Sequence, residues 1–173
     1  MLKTEELKLV SEWDKTFPQS EKVDHKKVTF VNRYGITLAA DLYKPKNVSG
    51  QCPAIAVSGS FGAVKEHCSG LYAQTMAERG YLTIAFDPSF TGESGGYPRF
   101  MASPDINTED FMAAVDFLSV REEVDQDRIG IIGICGWDVC TAGFVDFGCH
   151  VIDVPRCKCF LLLGKFEQIL GKN

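Results

Sequence analysis

A cysteine between two glycines is the residue of this chain best placed to do chemistry. Cys135 stands in the run Gly133-Ile134-Cys135-Gly136, directly after the apolar stretch 129–132. A strand that turns sharply into a helix presents a nucleophile at its end, and small neighbours let the backbone bend around it. The first amides of the helix would favour the thiolate. The pattern therefore predicts a cysteine nucleophile, with ordinary burial of Cys135 in a core as the open alternative.

A glycine-containing loop is the second candidate. The loop Ser58-Gly59-Ser60-Phe61-Gly62 follows the apolar run Pro53–Val57, which is typical of a strand buried on both faces of a parallel sheet. Its glycines could bring backbone amides close to a ligand, although a plain strand-to-helix connection is equally compatible. Because ligands gather at the carboxyl ends of parallel strands, we expect this loop and Cys135 to share one edge.

Strands and helices alternate along the chain. Hydrophobic periodicity and turn residues predict an amphipathic helix over 2–13, hairpin strands 27–31 and 36–43 with Gly35 in the turn, a strand over 53–57, a helix over 72–79, a strand over 82–86, a helix that opens at 108–110 and runs to 118, and a last strand after 125–128. This order predicts an α/β fold whose sheet is mainly parallel and is entered through an antiparallel hairpin.

Composition limits the function classes. The chain has 173 residues, 45% of them hydrophobic, and a net charge of -5, which suits one domain with a substantial core. Lysines and arginines are scattered among acids, so nucleic acid is not an expected partner. We find neither a signal-peptide pattern nor a membrane-spanning stretch, and therefore expect no membrane partner, a cytoplasmic location and reduced thiols.

The loop that follows the 82–86 strand carries a family resemblance. Asp87-Pro88-Ser89-Phe90-Thr91-Gly92-Glu93-Ser94-Gly95-Gly96, combined with Gly133-Ile134-Cys135-Gly136, resembles the α/β-hydrolase superfamily, specifically its dienelactone-hydrolase-like and Xaa-Pro-peptidase-like group, over residues 20–137. The resemblance implies attack by Cys135 on a small-molecule ester, lactone or peptide carbonyl. It also implies oxyanion donors from the Gly136 amide and from the amide of Ser60 or Phe61, with no cofactor and no metal.

The resemblance weakens after the cysteine. Trp137 stands where the family has a glycine, and the family's acid and histidine come from later strands, whereas this chain contains only His25, His67 and His150. We hypothesise that the sequence departs from a full-length hydrolase after Trp137 by frameshift, early ending or recombination. The predicted organisation is a helical appendage over 1–20, a partial hydrolase domain over 21–137 and a Cys-rich tail over 138–173. Because the acid and the histidine would be missing, this organisation predicts impaired activity. Because the sheet would be truncated, it also predicts self-association through an exposed sheet edge.

Two other functions stay open. The tail could form a small zinc-binding module, although the spacing of its thiols and imidazole is poor for structural zinc. Its candidate ligands are Cys140, Cys149, His150, Cys157 and Cys159. Alternatively, the chain is a non-catalytic relic of the fold or an interaction fragment, which fits the missing acid and histidine but predicts nothing about partners.

Overall fold

A computed structural model describes residues 5–134, together with the backbone of two short strands further along the chain. Its elements in chain order are β1 (Val23–Val31), β2 (Thr37–Pro45), β3 (Cys52–Ser58), α1 (Cys68–Ala77), β4 (Leu82–Phe86), α2 (Pro104–Ser119), β5 (Val124–Gly133), β6 (Ile152–Val154) and β7 (Cys157–Cys159). None of the helices in the described part of the chain is both long and apolar enough to cross a membrane.

The main sheet confirms the predicted α/β architecture. Its five strands lie in the order β1-β2-β4-β3-β5, and β6 pairs with β7 separately. The β1–β2 hairpin is antiparallel, and its turn residue Gly35 adopts a φ of 79°. β2 runs antiparallel to β4, whereas β3 runs parallel to both β4 and β5. The hairpin therefore leads into a parallel part of the sheet, as the sequence predicted.

The two helices cover opposite faces of this sheet. On one face α2 packs through Phe111 and Leu118, and the Phe111 and Phe86 rings meet edge to face at 5.0 Å. On the other face α1 packs through Ala73 and Met76 against residues of β2, β3 and β5. Because both faces of β3 and β4 are covered, these strands consist of nearly continuous apolar runs.

The predicted helix over 2–13 is wrong for the part that the structure describes, since residues 5–13 are not helical. Contacts with other elements replace it: the Val10 N–H donates to Glu93 Oε1 at 2.7 Å, and the Trp13 ring meets the His25 ring of β1 edge to face at 5.1 Å. Phe17 is also buried. The segment is therefore fastened to the sheet domain, because tertiary contacts outweigh a weak local helix preference.

Both remaining helices begin earlier than predicted. α2 starts at Pro104 and not at the predicted Thr108, and α1 starts at Cys68, ahead of the predicted Tyr72. Ser103 takes an extended conformation before α2, and its N–H donates to the Asn107 side chain at 2.9 Å. Proline at a first helical position is a recognised start signal that the apolar periodicity alone does not show.

Candidate active site

The carboxyl ends of the three parallel strands meet at one edge of the sheet. Ser58 at the end of β3 pairs with Gly133 of β5, and the Ile134 N–H donates to the Ser58 carbonyl at 3.2 Å. The Ser58 hydroxyl donates to the Phe86 carbonyl of β4 at 3.2 Å. Cys135 and Gly136 lie outside the described residues, but Cys135 is the next residue after Ile134. The structure therefore fixes the chain just before Cys135 beside the start of the β3–α1 loop.

The β3–α1 loop, residues 59–67, begins with a tight turn. The Ala63 N–H donates to the Ser60 carbonyl at 3.0 Å, and Gly62 has a φ of 78°, as a type II turn requires at its third position. Ser60 is half-buried and Phe61 is exposed. Among the residues that the structure describes, none accepts a hydrogen bond from the Ser60 N–H. Ser60 thus offers an amide donor at the predicted edge, as an oxyanion site requires.

Asp87 joins this loop to the next one. Its Oδ1 accepts a hydrogen bond from the Lys65 N–H at 2.8 Å, and its Oδ2 accepts one from the Glu93 N–H at 2.9 Å. The side chain is fully buried at the end of β4. A Cβ on Gly92 would lie 2.2 Å from Asp87 Oδ2, so the backbone passes directly over the carboxylate. One carboxylate therefore fastens both the β3–α1 loop and the β4–α2 loop, residues 87–103.

The Lys65 ammonium completes the contact. Its Nζ lies 2.9 Å from Asp87 Oδ2, 2.6 Å from Glu66 Oε1 and 2.6 Å from Glu93 Oε2, and its side chain is 0% exposed. Burial opposes the charge on Lys65, but the attraction of Asp87 and the hydrogen bonds to Glu66 and Glu93 outweigh it, so its pKa is raised. The three carboxylates around Lys65 therefore favour its charged form inside the protein.

A second lysine extends the charged cluster toward the N-terminal segment. Lys27 Nζ on β1 donates to Asp14 Oδ2 at 2.8 Å and to Glu93 Oε2 at 2.7 Å. Burial raises the pKa of Asp14, but hydrogen bonds from Lys15 and Lys27 prevail and lower it to about 2. The ammonium groups of Lys27 and Lys65 thus neutralise the carboxylates of Asp14, Glu66, Asp87 and Glu93.

Asp110 on α2 holds the other side of the β4–α2 loop with neutral donors. Its Oδ1 accepts from Asn32 Nδ2 at 2.8 Å and from the Ser89 hydroxyl at 2.7 Å. Its Oδ2 accepts from the Ser89 N–H at 2.8 Å and from Asn107 Nδ2 at 3.1 Å. Burial raises the pKa of Asp110, and these donors act against that rise.

Two of the three histidines are described, His25 on β1 and His67 at the end of the β3–α1 loop. His25 on β1 bonds Asp41 Oδ1 through Nε2 at 2.8 Å. Since β1 and β5 are four strand spacings apart, roughly 19 Å separates their axes. His67 is exposed immediately before α1 and makes no side-chain capping bond. His150 lies outside the described residues.

The tail ligands proposed for zinc are not tested by the structure. Cys140, Cys149 and His150 lie outside the described residues, and for Cys157 and Cys159 only the backbone of β7 is described. Cys52 is a buried free thiol and Cys68 a half-buried one. A Cβ on Gly59 would lie 3.5 Å from Cys68 Sγ, which places this second thiol behind the β3–α1 loop.

Sequence reasoning missed Lys65 and Asp110. Lysine usually marks an exposed surface, so nothing in the pattern around Lys65 indicates a fully buried ammonium. Asp87 was noticed only as the first residue of a resembling loop. The available signal was the position of Asp87 directly after a buried strand, followed by glycines that permit close backbone approach.

Comparison with known proteins identifies a family and several relatives. The family model of X-Pro dipeptidyl-peptidases (S15 family) matches residues 34–139. The uncharacterized protein PA2218 of Pseudomonas aeruginosa is 72% identical over 133 residues, which cover 76% of this chain and 36% of PA2218. The uncharacterized protein YcjY of Escherichia coli is 45% identical over 63% of this chain and 37% of its own length. The thiohydrolase aneE of Aspergillus aculeatus is 31% identical over 78% of this chain and 40% of its own.

Solved structures show the same fold. The crystal structure of PA2218 superimposes with a TM-score of 0.78 and 68% identity over 82% of this chain and 45% of that chain. The α/β hydrolase GrgF from a Penicillium species superimposes with a TM-score of 0.65 and 25% identity over 71% of this chain and 42% of that chain. This chain therefore spans between about a third and two fifths of the length of these curated relatives.

Proposed function

Because this chain belongs to the X-Pro dipeptidyl-peptidase (S15) family of α/β-hydrolases, we propose that it transfers acyl groups through a Cys135 thiolate. The observation that supports this most is the hydrogen bond from the Ile134 N–H to the Ser58 carbonyl, because it places the residue before Cys135 beside the loop that carries the candidate donors. Small esters, lactones and peptide-like amides are the proposed substrates. The thiohydrolase relative supports adding thioesters.

The proposed step is nucleophilic substitution at a carbonyl. The thiol of Cys135 loses its proton to solvent, its sulfur bonds to the carbonyl carbon, and the carbonyl electron pair moves onto oxygen. Backbone N–H groups of Gly136 and of Ser60 or Phe61 stabilise that oxyanion. When the oxyanion collapses, the bond to the leaving alkoxide or thiolate breaks, and the leaving group takes a proton from water. Attack by water on the resulting thioester would complete the cycle.

Deacylation is the step that we propose to be impaired. His25 is committed to Asp41 on the far edge of the sheet, and His67 is exposed before α1. If no histidine outside residues 5–134 supplies a base either, water attacks a thioester slowly. We therefore expect this chain to accumulate an acyl-enzyme with little turnover.

Intact-mass spectrometry after exposure to p-nitrophenyl acetate tests the proposal. The expected result is one acetyl group per chain, retained in C68A and lost in C135A. C68A is the matched control because Cys68 lies behind the same loop. Acetylation that survives in C135A, or a wild-type chain that takes up none, would overturn the proposed function.

We also propose self-association through β5. It is the last strand of the five-stranded order. β7 packs close to it, but no strand among the described residues is hydrogen-bonded to its outer side, and such an edge offers backbone groups to another chain. Light scattering on purified protein should give a mass above that of one chain, rising with concentration. A constant monomer mass across a hundredfold dilution would refute this part of the proposal.

A further inference from the structure

We propose that Lys65 is a positioning residue that holds the β3–α1 loop in the conformation needed to stabilise an oxyanion. The inference rests on the proposed function, because it assigns a role to a residue that would act through the Ser60 and Phe61 amides. Lys65 itself would touch neither substrate nor thiol, since its side chain is fully buried.

Lys65 binds the Asp87 carboxylate through two hydrogen bonds, one from its backbone and one from its side chain. The Lys65 N–H donates to Asp87 Oδ1 at 2.8 Å, and the Lys65 Nζ donates to Asp87 Oδ2 at 2.9 Å. Asp87 directly follows β4, whose backbone is fixed in the sheet. The end of the β3–α1 loop is thereby tied to a rigid strand, and the Ser60–Ala63 turn lies between this tie and Ser58.

The backbone of Lys65 is also packed closely against the start of α1. A Cβ on Gly70 would lie 2.3 Å from the Lys65 carbonyl oxygen, so the first turn of α1 packs directly against the Lys65 backbone. The charged side chain also contacts Glu66 and Glu93 at 2.6 Å each. The N–H, the carbonyl and the ammonium group of Lys65 are therefore each held by a neighbouring group.

The charge of Lys65 also holds the carboxylates around it in place. Breaking a buried ion pair on one side leaves an uncompensated charge, so the neighbourhood must rearrange. The groups that must move are Asp87, Glu66 and Glu93, and all three belong to the two loops at the carboxyl edge. Removing the ammonium should therefore displace the loop, and a displaced donor stabilises an oxyanion poorly.

The test compares two reactions at the same thiol. Acetylation by p-nitrophenyl acetate passes through an oxyanion, whereas alkylation by iodoacetamide does not. In K65M, which keeps an unbranched side chain one atom shorter and removes the charge, the ratio of acetylation to alkylation rate at Cys135 should fall roughly tenfold to a hundredfold. In K65R, which keeps a cation, part of the ratio should return. D110N is the matched control, because it perturbs the other anchor of the β4–α2 loop, and its ratio should stay at the wild-type value.

Hydrogen exchange by mass spectrometry separates the two proposals. Peptides covering residues 58–64 should exchange faster in K65M than in wild type, while peptides of α2 should not change. An unchanged ratio in K65M with unchanged exchange overturns the role of Lys65. If wild type is not acetylated, the proposed function fails, and the exchange data alone then decide whether Lys65 holds the loop. Should K65M not fold, D87N supplies the same comparison from the carboxylate side.

Discussion

Asp87 and Asp110 are both fully buried and both hold the β4–α2 loop, yet Asp87 faces an ammonium group and Asp110 faces neutral donors. The charged contact lies on the side of the loop that adjoins the β3–α1 loop. The neutral contact fastens the same loop to the β1–β2 hairpin and to α2. The difference indicates that the ionic anchor connects the two loops of the candidate site, whereas the neutral anchor supports the scaffold around them.

The largest expected loss of stability comes from adding a methyl group at Gly92, whose backbone lies directly over Asp87. In G92A the new Cβ would lie 2.2 Å from Asp87 Oδ2, and the φ of 53° is itself unfavourable for alanine. We expect a loss of about 3–5 kcal/mol in the free energy of unfolding, measured by urea denaturation. G62A is the control: its φ of 78° is also positive, but the space around it is open, so it should cost only about 1 kcal/mol. Equal effects in the two variants would show that the backbone does not pass over the carboxylate.

A double-mutant cycle tests whether the Lys65–Asp87 contact is a true ion pair. K65M alone should cost about 3–5 kcal/mol, because it leaves a buried carboxylate without its cation. K65M and D87N together should cost less than the sum of the single changes, with a coupling of about 1–3 kcal/mol. The Arg33–Glu109 pair provides a control, because Arg33 is 60% exposed and its coupling should stay below about 1 kcal/mol. If the unfolding free energies lost in K65M and D87N simply add in the double variant, Asp87 is not ionically coupled to Lys65, and the contrast with Asp110 fails.

The neutral anchor should be weaker and local. D110N keeps one acceptor oxygen but turns an amide group toward donors that previously bonded a carboxylate, at a cost of about 1–3 kcal/mol. Its effect should appear in urea denaturation without any change in the ratio of acetylation to alkylation at Cys135. A changed ratio would mean that both anchors serve the candidate site.

The smallest expected effect concerns the N-terminal segment. The pKa of Asp14 is lowered to about 2, so its ion pairs stabilise the fold above about pH 4 and lose that contribution as the pH falls toward 2. Burial raises the pKa of Glu93, but hydrogen bonds from Lys27 and Lys65 prevail and lower it, so Glu93 acts in the same direction. In D14N the decline of unfolding free energy between about pH 4 and pH 2 should be shallower than in wild type. An identical decline would show that Asp14 does not contribute to the charged cluster.

The strands were largely predictable because local pattern and burial agree. The apolar run 82–86 lies between Gly80 and Asp87-Pro88, and β4 has those bounds in the structure. The start of α2 was missed because its signal is the Ser103-Pro104 pair and not the apolar period. The N-terminal helix failed because Val10 and Trp13 are used in contacts with distant residues.

In the candidate site, too, the features with a local sequence pattern were predictable and those that depend on distant contacts were not. Sequence predicted the Ser58–Gly62 loop and placed it at the edge where β5 ends, and the structure confirms that placement. The roles of Cys135, Gly136, Ser60 and Phe61 stay predictions. The charged cluster was invisible, since Asp14, Lys27, Lys65, Asp87 and Glu93 are far apart in sequence and come together only through the fold. Pairing between distant charges leaves no local period to read.

The family match ends at residue 139, two residues after Trp137. The hypothesis of a frameshift after Trp137 stays a prediction about the encoding DNA. An alternative reading frame downstream of the Trp137 codon should encode a glycine- and alanine-rich helix followed by further strands. If no frame does so, the hypothesis is wrong.

Site-resolved acyl occupancy is the most direct test of the account. After reaction with a limiting amount of an acyl thioester, peptide mapping should locate the acyl group on Cys135, with Cys68 and the lysines unmodified. The adduct should persist for much longer than the acylation takes. Acyl groups found mainly on Cys68 or on surface lysines, with Cys135 unmodified, would contradict the claim that this edge of the sheet activates a thiol for acyl transfer.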